Sequence, residues 1–205
     1  MRNASSYFQR VFSKYANPNA TALPSLFEGD DAMFRRVLAD SRIYGEYGVG
    51  ASTEYAWQMT GARIVAVDTS AEWVAKTLSG MDPQRVSITH VDVGPIGDWG
   101  RPLGYTRRDN FPQYTDLIWS TPDTPNVVLV DGRFRVACFL TAGLHAKPGT
   151  QIIFDDYTNR PHYHIVERVL ACVETCGRQA RFERPPTIDR GLASEMVDKY
   201  RDVFD

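Results

Sequence analysis

The stretch Glu46-Tyr47-Gly48-Val49-Gly50-Ala51-Ser52-Thr53 constrains this chain more than any other. Arg42 to Glu46 reads as a short strand before it, and Ser52 to Thr60 as a helix after it, stopped by Gly61. Gly48 and Gly50 carry no Cβ, so the backbone between strand and helix can turn tightly and approach another group closely. A second apolar strand, Arg63 to Asp68, follows and also ends in a carboxylate. Strand, glycine turn, helix and strand make one crossover unit, because parallel neighbours cannot be joined by a tight hairpin.

The alternation continues along the chain. A helix over Asp30–Ala39 precedes the first strand, with Asp30 and Asp31 in its first turn where negative charge suits the helix dipole. Ala71–Ser79 reads as a helix, Val86–Val91 as a strand ending at Asp92, and Phe111–Ser120 as a helix. Asn126–Val130 is continuously apolar and β-branched, the mark of a central parallel strand, and it ends in Asp131-Gly132-Arg133. Arg135–His145 is a helix, and the strand Gln151–Phe154 runs into Asp155-Asp156-Tyr157. Pro161 suits the first position of a helix carried through Cys176 to Gly177, and Ala180–Glu183 is a short sixth strand. Leu192, Met196, Tyr200 and Phe204 recur every four residues, so the tail reads as a helix. Five successive βα units imply an α/β, Rossmann-like doubly wound, mostly parallel sheet flanked by helices on both faces. A length of 205 residues fits a single domain over 1–205. Residues 1–27 form an N-terminal arm that packs on the domain or on a second subunit of a homo-oligomer. Residues 94–112 form a long loop rich in glycine and proline, and such loops inside compact domains usually carry function.

Charge excludes some partners. The net charge is −2 and the arginines are scattered, so nothing favours nucleic acid or an anionic lipid surface. No apolar run reaches a membrane span, and the first residues lack the order of a secretion signal. Cys138, Cys172 and Cys176 form no disulfide framework and read as buried thiols in a reducing, cytoplasmic setting. Cys172 and Cys176 stand four apart on the expected helix, and without a second pair they read as core rather than metal ligands.

In open α/β sheets a ligand lies beyond the carboxyl ends of the strands, where the strand order reverses. All five of the first strands end in an acid: Glu46, Asp68, Asp92, Asp131 and Asp155-Asp156. Aspartate favours strand ends and helix caps for local reasons. Five of five, with glycines after the first, point instead to a nucleoside site. An NAD(P)-dependent oxidoreductase fits less well, because Thr53 stands where the third glycine of the dinucleotide pattern belongs and Glu46 adds an unneeded charge.

Over roughly residues 42–170 the chain resembles the class I S-adenosylmethionine-dependent methyltransferases. Glu46, Gly48 and Gly50 match the glycine-rich motif, with Ser52 and Thr53 opening the next helix. Asp68, followed by Thr69, matches the acid that receives the cofactor's ribose, and Asp92 with Val93 matches the position that meets the adenine. The resemblance implies that Glu46 serves the positively charged methionine end. It also implies that Asp131 lies among cofactor and catalytic groups. Asp131-Gly132-Arg133-Phe134-Arg135 and Asp155-Asp156-Tyr157 further resemble small bacterial methyltransferase-like proteins. The implied activity is methyl transfer to a small-molecule acceptor, at oxygen, with Asp131 and Asp156 at the reacting end. Successive strand residues face opposite ways, so Asp156, two beyond Phe154, is the member of its pair expected to face the site.

Some O-methyltransferases of this fold hold a divalent cation on aspartates after the fourth and fifth strands. Asp131 and Asp156 would be the ligands here, but Arg133, Arg135 and Arg160 are near enough to neutralise them, and metal is not favoured. His162 and His164 point about 200° apart on a helix and read as surface or capping residues. Trp99, Arg101 and Tyr105 either wall a substrate pocket or anchor the long loop. The family usually ends in antiparallel sixth and seventh strands, and only a sixth is legible. A seventh is either hidden in Thr187–Met196 or absent. A non-catalytic binding module, using the arm and the long loop, is the remaining alternative.

Overall fold

The structure, a computed structural model, describes residues 25–204. Most of the expected arm lies outside them; of its last residues, Leu26 and Phe27 are buried. The helices are α1 (Ala32–Ala39), α2 (Ala51–Met59), α3 (Ala71–Leu78), α4 (Phe111–Asp116), α5 (Arg135–His145) and α6 (Arg190–Tyr200). The strands are β1 (Ile43–Tyr47), β2 (Arg63–Asp68), β3 (Val86–His90), β4 (Val127–Val130), β5 (Gln151–Phe154), β6 (Cys172–Cys176) and β7 (Gln179–Glu183).

They form a mixed seven-stranded sheet in the order β3-β2-β1-β4-β5-β7-β6. The first five strands run parallel, and β7 is antiparallel to both β5 and β6. The order reverses between β1 and β4. Tyr47 of β1 is level with Val67 of β2 and Val130 of β4, so three carboxyl ends open at one height.

The period-two alternation of the strands divides the core. Tyr44, Ile64, Ala66, Leu129 and Ile153 join Phe34 and Leu38 of α1 on one face. Tyr47, Val65, Val67, Val128, Val130 and Phe154 join Phe134 and Phe139 on the other. With both faces covered, β4 is buried along its whole length, as its β-branched run requires. No helix of the described residues is long and apolar enough to cross a membrane.

The chief departure from the sequence reading lies beyond β5. The expected helix from Pro161 to Gly177 is a 3₁₀ segment, Pro161–Arg168, followed by strand β6. β-Branched Val173 and Thr175 alternate outward between less exposed neighbours, and Gly177 at φ +56° turns the chain into β7. The strand expected as the sixth is therefore the seventh, and the missing strand lies before it rather than within residues 187–196. Cys172 and Cys176 lie on a strand and are half-buried, so of the three free cysteines Cys138 alone is buried. The expected helix Phe111–Ser120 ends at Asp116 and continues as a 3₁₀ turn, Leu117–Trp119. The long loop is not featureless. Ile96 pairs antiparallel with Pro102, which folds residues 95–103 into a small hairpin.

Candidate functional site

The turn after β1 is built on close backbone contact. Gly48 adopts φ +85° and donates its N–H to Val67 O at 2.9 Å. A Cβ there would lie 2.5 Å from Gly132 Cα, so the turns after β1 and β4 meet backbone to backbone. A Cβ on Gly132 would lie 2.1 Å from the Tyr114 hydroxyl, which accepts the Arg133 N–H at 3.2 Å. Gly50 N donates to Thr53 Oγ1 at 2.9 Å.

Glu46 points to the α2 side of the sheet and is fully buried. Its Oε2 accepts from Thr53 Oγ1 at 2.6 Å, and its Oε1 accepts from Ser52 Oγ. The Tyr44 hydroxyl faces the same carboxyl without a well-formed bond. Burial pushes Glu46 up to about 7, against the pull of the Ser52 and Thr53 hydroxyls. The acid thus ties the glycine turn to the start of α2, and its carboxyl is fully buried beneath that turn.

Asp68 closes β2 with 9% of its surface exposed. Its Oδ2 accepts from Val49 N at 3.0 Å and its Oδ1 from Ser70 N at 2.8 Å. Burial raises its carboxyl above the usual range, while those N–H groups and the charge of Arg133 work the other way. Thr69 is buried and donates its hydroxyl to Gly100 O at 2.7 Å. Asp92, beyond β3, is exposed; it accepts from Gly94 N at 3.0 Å and pairs with Arg107 at 3.3 Å. Val93 is buried in the core.

At the ends of β4 and β5 the structure gathers Asp131, Asp155 and Asp156, each with a carboxylate oxygen within 4.8 Å of the others. The alternation argument that selected Asp156 over Asp155 fails here. Asp156 has φ +59°, so strand geometry has ended and both residues face the cluster. Three guanidinium groups stand among the acids. Arg135, at the start of α5, lies 3.0 Å from Asp131 and 3.1 Å from Asp156. It also donates to the carbonyls of Asp131, Gly132 and Asp155. Arg160 reaches Asp156 at 2.8 Å. Arg178, from the β6–β7 turn, reaches Asp155 at 2.6 Å and Asp156 at 3.3 Å.

These pairings separate the acids electrostatically. Burial pushes Asp156 up, but Arg135, Arg178 and Arg160 outweigh it and hold the carboxyl below the usual range. Asp131 goes the other way. Burial and the neighbouring Asp155 raise it well above the usual range, opposed by Arg135 and Arg178. Its side chain keeps 26% exposure, against 7% for Asp156 and none for Asp155.

Arg178 and Tyr114 are the site residues that sequence reasoning missed. Gly177-Arg178 between two alternating runs was the available signal for the hairpin that delivers the arginine. Nothing in the sequence marks Tyr114. In the long loop, Tyr105 packs on Phe204 at 5.0 Å and Arg101 bonds Phe204 O, so both anchor the loop to the C-terminal residues. His164 is exposed and its Nε2 lies 3.0 Å from Tyr157 O.

A glycine turn after β1, an acid after β2 and a mixed seven-stranded sheet define a Rossmann-like class I fold, and the chain is class I methyltransferase-like. A methyltransferase-like protein from Silicibacter pomeroyi superposes with a TM-score of 0.78 at 28% identity, over 88% of this chain and 97% of that one. An O-methyltransferase from Bacillus cereus, solved in complex with SAH, gives 0.52 at 16% identity over 89% and 93% of the two chains. A putative O-methyltransferase from Klebsiella pneumoniae gives 0.53 at 15% identity over 89% of each. No protein-family model and no curated protein matches the chain.

Proposed function

We propose that this chain binds S-adenosylmethionine across the carboxyl ends of β1, β2 and β3 and transfers its methyl group to a small-molecule acceptor, at oxygen. The observation that carries the reading is Asp68. Its two oxygens accept the N–H groups of Val49 and Ser70, the Thr69 N–H also acts on it, and an ionised carboxylate has about four acceptor positions. Acceptor capacity for a ribose hydroxyl therefore remains, on a carboxylate fixed by the glycine turn itself. Asp92 stands exposed at the end of β3, where the adenine end would lie.

When bound, the cofactor supplies a methyl group already activated on a sulfonium. The chain's task is to align an acceptor and take its proton. Asp131 is suited to that task, because it is the most exposed of the three clustered acids, and burial and the neighbouring Asp155 raise its carboxyl and so make its ionised form more basic. Asp156, held ionised by three arginines, orders the cluster instead of exchanging a proton. The net charge of −2 supports a small acceptor over nucleic acid, and the free thiols support a cytoplasmic setting. One sheet carrying every candidate residue supports a single domain over 1–205.

Thermal unfolding with S-adenosylhomocysteine, with NADH as the control, tests the reading. Ligand at about a hundred times its Kd stabilises by about 2.7 kcal/mol, a rise in Tm of about 5–10 °C for this size. Asp68→Asn is expected to weaken that ligand about 10- to 100-fold through lost charge-assisted bonds while staying folded. A rise with NADH alone would transfer the site to the oxidoreductase reading. No rise with either ligand would favour a binding module.

A further inference from the structure

The hairpin of the long loop lies over the acid that the proposed function depends on. Its legs are joined by Leu103 N to Pro95 O and Gly97 N to Arg101 O, both at 2.8 Å. Its base is fixed. Gly94 bonds Asp92 and Asn110 bonds the Asp92 carbonyl at 2.8 Å, while Arg101, next to the tip, reaches Phe204 O at 3.4 Å. Its tip, Asp98–Gly100, is tied to the sheet differently. Among the described residues, one hydrogen bond joins the tip to the strand ends, from Thr69 Oγ1 to Gly100 O at 2.7 Å. The approach is close: a Cβ on Gly100 would stand 2.4 Å from Thr69 Oγ1 and 3.9 Å from Asp68 Oδ1.

The tip is also held in an unfavourable shape. Trp99 adopts φ 60°, ψ 27°, the left-handed region that a bulky residue avoids, and its side chain is 62% exposed, so little packing compensates. Trp99, Leu103 and Tyr105, all on or beside this hairpin, are three of the six large apolar side chains exposed among the described residues.

We propose that residues 95–103 form a strap that closes the nucleoside end of the site and must lift from Thr69 before a ligand can reach Asp68. The inference rests on the reading of Asp68 as a ribose acceptor. The tip meets the strand ends through one polar bond and the strain sits in the next residue, so the closed position dominates but a single substitution can shift the balance. Ligand affinity is then reduced by the fraction of molecules that are closed, and changes that open the strap tighten binding.

Three variants have opposite expected signs. Thr69→Val removes the bond at constant shape, and Gly100→Ala forces the tip up without altering any strand-end side chain. Each should raise deuterium uptake at residues 98–103 and tighten S-adenosylhomocysteine binding about fivefold, the weight of one hydrogen bond. Trp99→Gly relieves the left-handed strain, so it should lower that uptake and weaken binding about threefold. Unchanged exchange in both opening variants would overturn the strap. Raised exchange with unchanged or weaker binding in Gly100→Ala would overturn its gating role. If exchange follows the expected signs while neither wild type nor the opened variants bind the ligand, the strap stands and the cofactor reading fails.

Discussion

Arg178 stands 2.6 Å from Asp155, a carboxylate with no exposed surface. The two belong to segments that meet only because β7 runs antiparallel beside β5. Phe154 pairs with Ala180, so the β6–β7 turn hangs level with the residues just past β5. Arg178 thereby completes a set of three guanidiniums facing three carboxylates, and the cluster is balanced by charges that belong to the chain.

That balance predicts indifference to divalent cations. A metal would have to displace Arg135, which is buried and makes four contacts of 3.1 Å or less to the acids and their carbonyls and a fifth, at 3.0 Å, to the Gly132 carbonyl. Burial opposes its charge, but the surrounding acids outweigh that and hold it ionised. Millimolar Mg2+ or Mn2+, and EDTA, are each expected to move Tm by under about 1 °C, since a ligand that does not bind the native state cannot shift its stability. A metal-dependent rise of several degrees would show that the arginines give way.

The arginines themselves should differ sharply. Arg135→Met leaves Asp131 and Asp156 without their buried partner and is expected to cost about 3–5 kcal/mol. Arg160 is 39% exposed, so Arg160→Met should cost no more than about 1 kcal/mol. Urea denaturation of the two variants reads the contrast. Equal costs would mean that the cluster is more open to water than its burial implies.

Much of this was legible in the sequence because each signal was local. The strand Arg63–Asp68, the strand Gln151–Phe154 and the helix Arg135–His145 agree with the structure at both ends, since apolar runs bounded by charge or glycine define themselves. The failure at Cys172–Cys176 has an equally definite cause. An exposed edge strand alternates between half-buried and exposed, so its apolar signal is weak. Val169, Leu170 and Cys172 beside it imitate a helical stripe. Missing that strand hid the turn that delivers Arg178. The direction of Asp156 was beyond sequence reasoning, because a left-handed residue at a strand end breaks the alternation on which the inference stood.

Gly48 offers a test of how the site is held together. Alanine there would meet two penalties, a φ of +85° and a Cβ 2.5 Å from Gly132 Cα, where backbone rather than a flexible side chain must move. Gly149 has a similar φ of +86° and nothing within 4 Å of the added atom. Gly149→Ala therefore isolates the conformational cost, about 1 kcal/mol. Gly48→Ala adds overpacking and is expected to cost about 2–4 kcal/mol in all. Similar denaturation midpoints for the two variants would show that the turns after β1 and β4 part easily.

Glu46 gives the site a pH dependence whose sign can be worked out. Its folded carboxyl is pushed to about 7 from an ordinary value of 4.5. Between those values the folded state holds a proton that the unfolded state has released. The stability it contributes is thus fully present below about 4.5 and is lost as pH rises through 7. At about 1.4 kcal/mol per pH unit, the loss across that window is about 3 kcal/mol. Asp68 and Asp131 are also raised and act in the same direction, so the wild-type profile alone does not isolate Glu46. Glu46→Gln keeps the shape and cannot ionise, while the other acids remain in both proteins. The stability of Glu46→Gln relative to wild type, from urea denaturation at pH 5 and pH 8, should therefore rise by about 2–3 kcal/mol between the two. A constant difference would mean that the Ser52 and Thr53 hydroxyls keep Glu46 ionised throughout, and the buried acid would then be a permanent negative charge beneath the glycine turn.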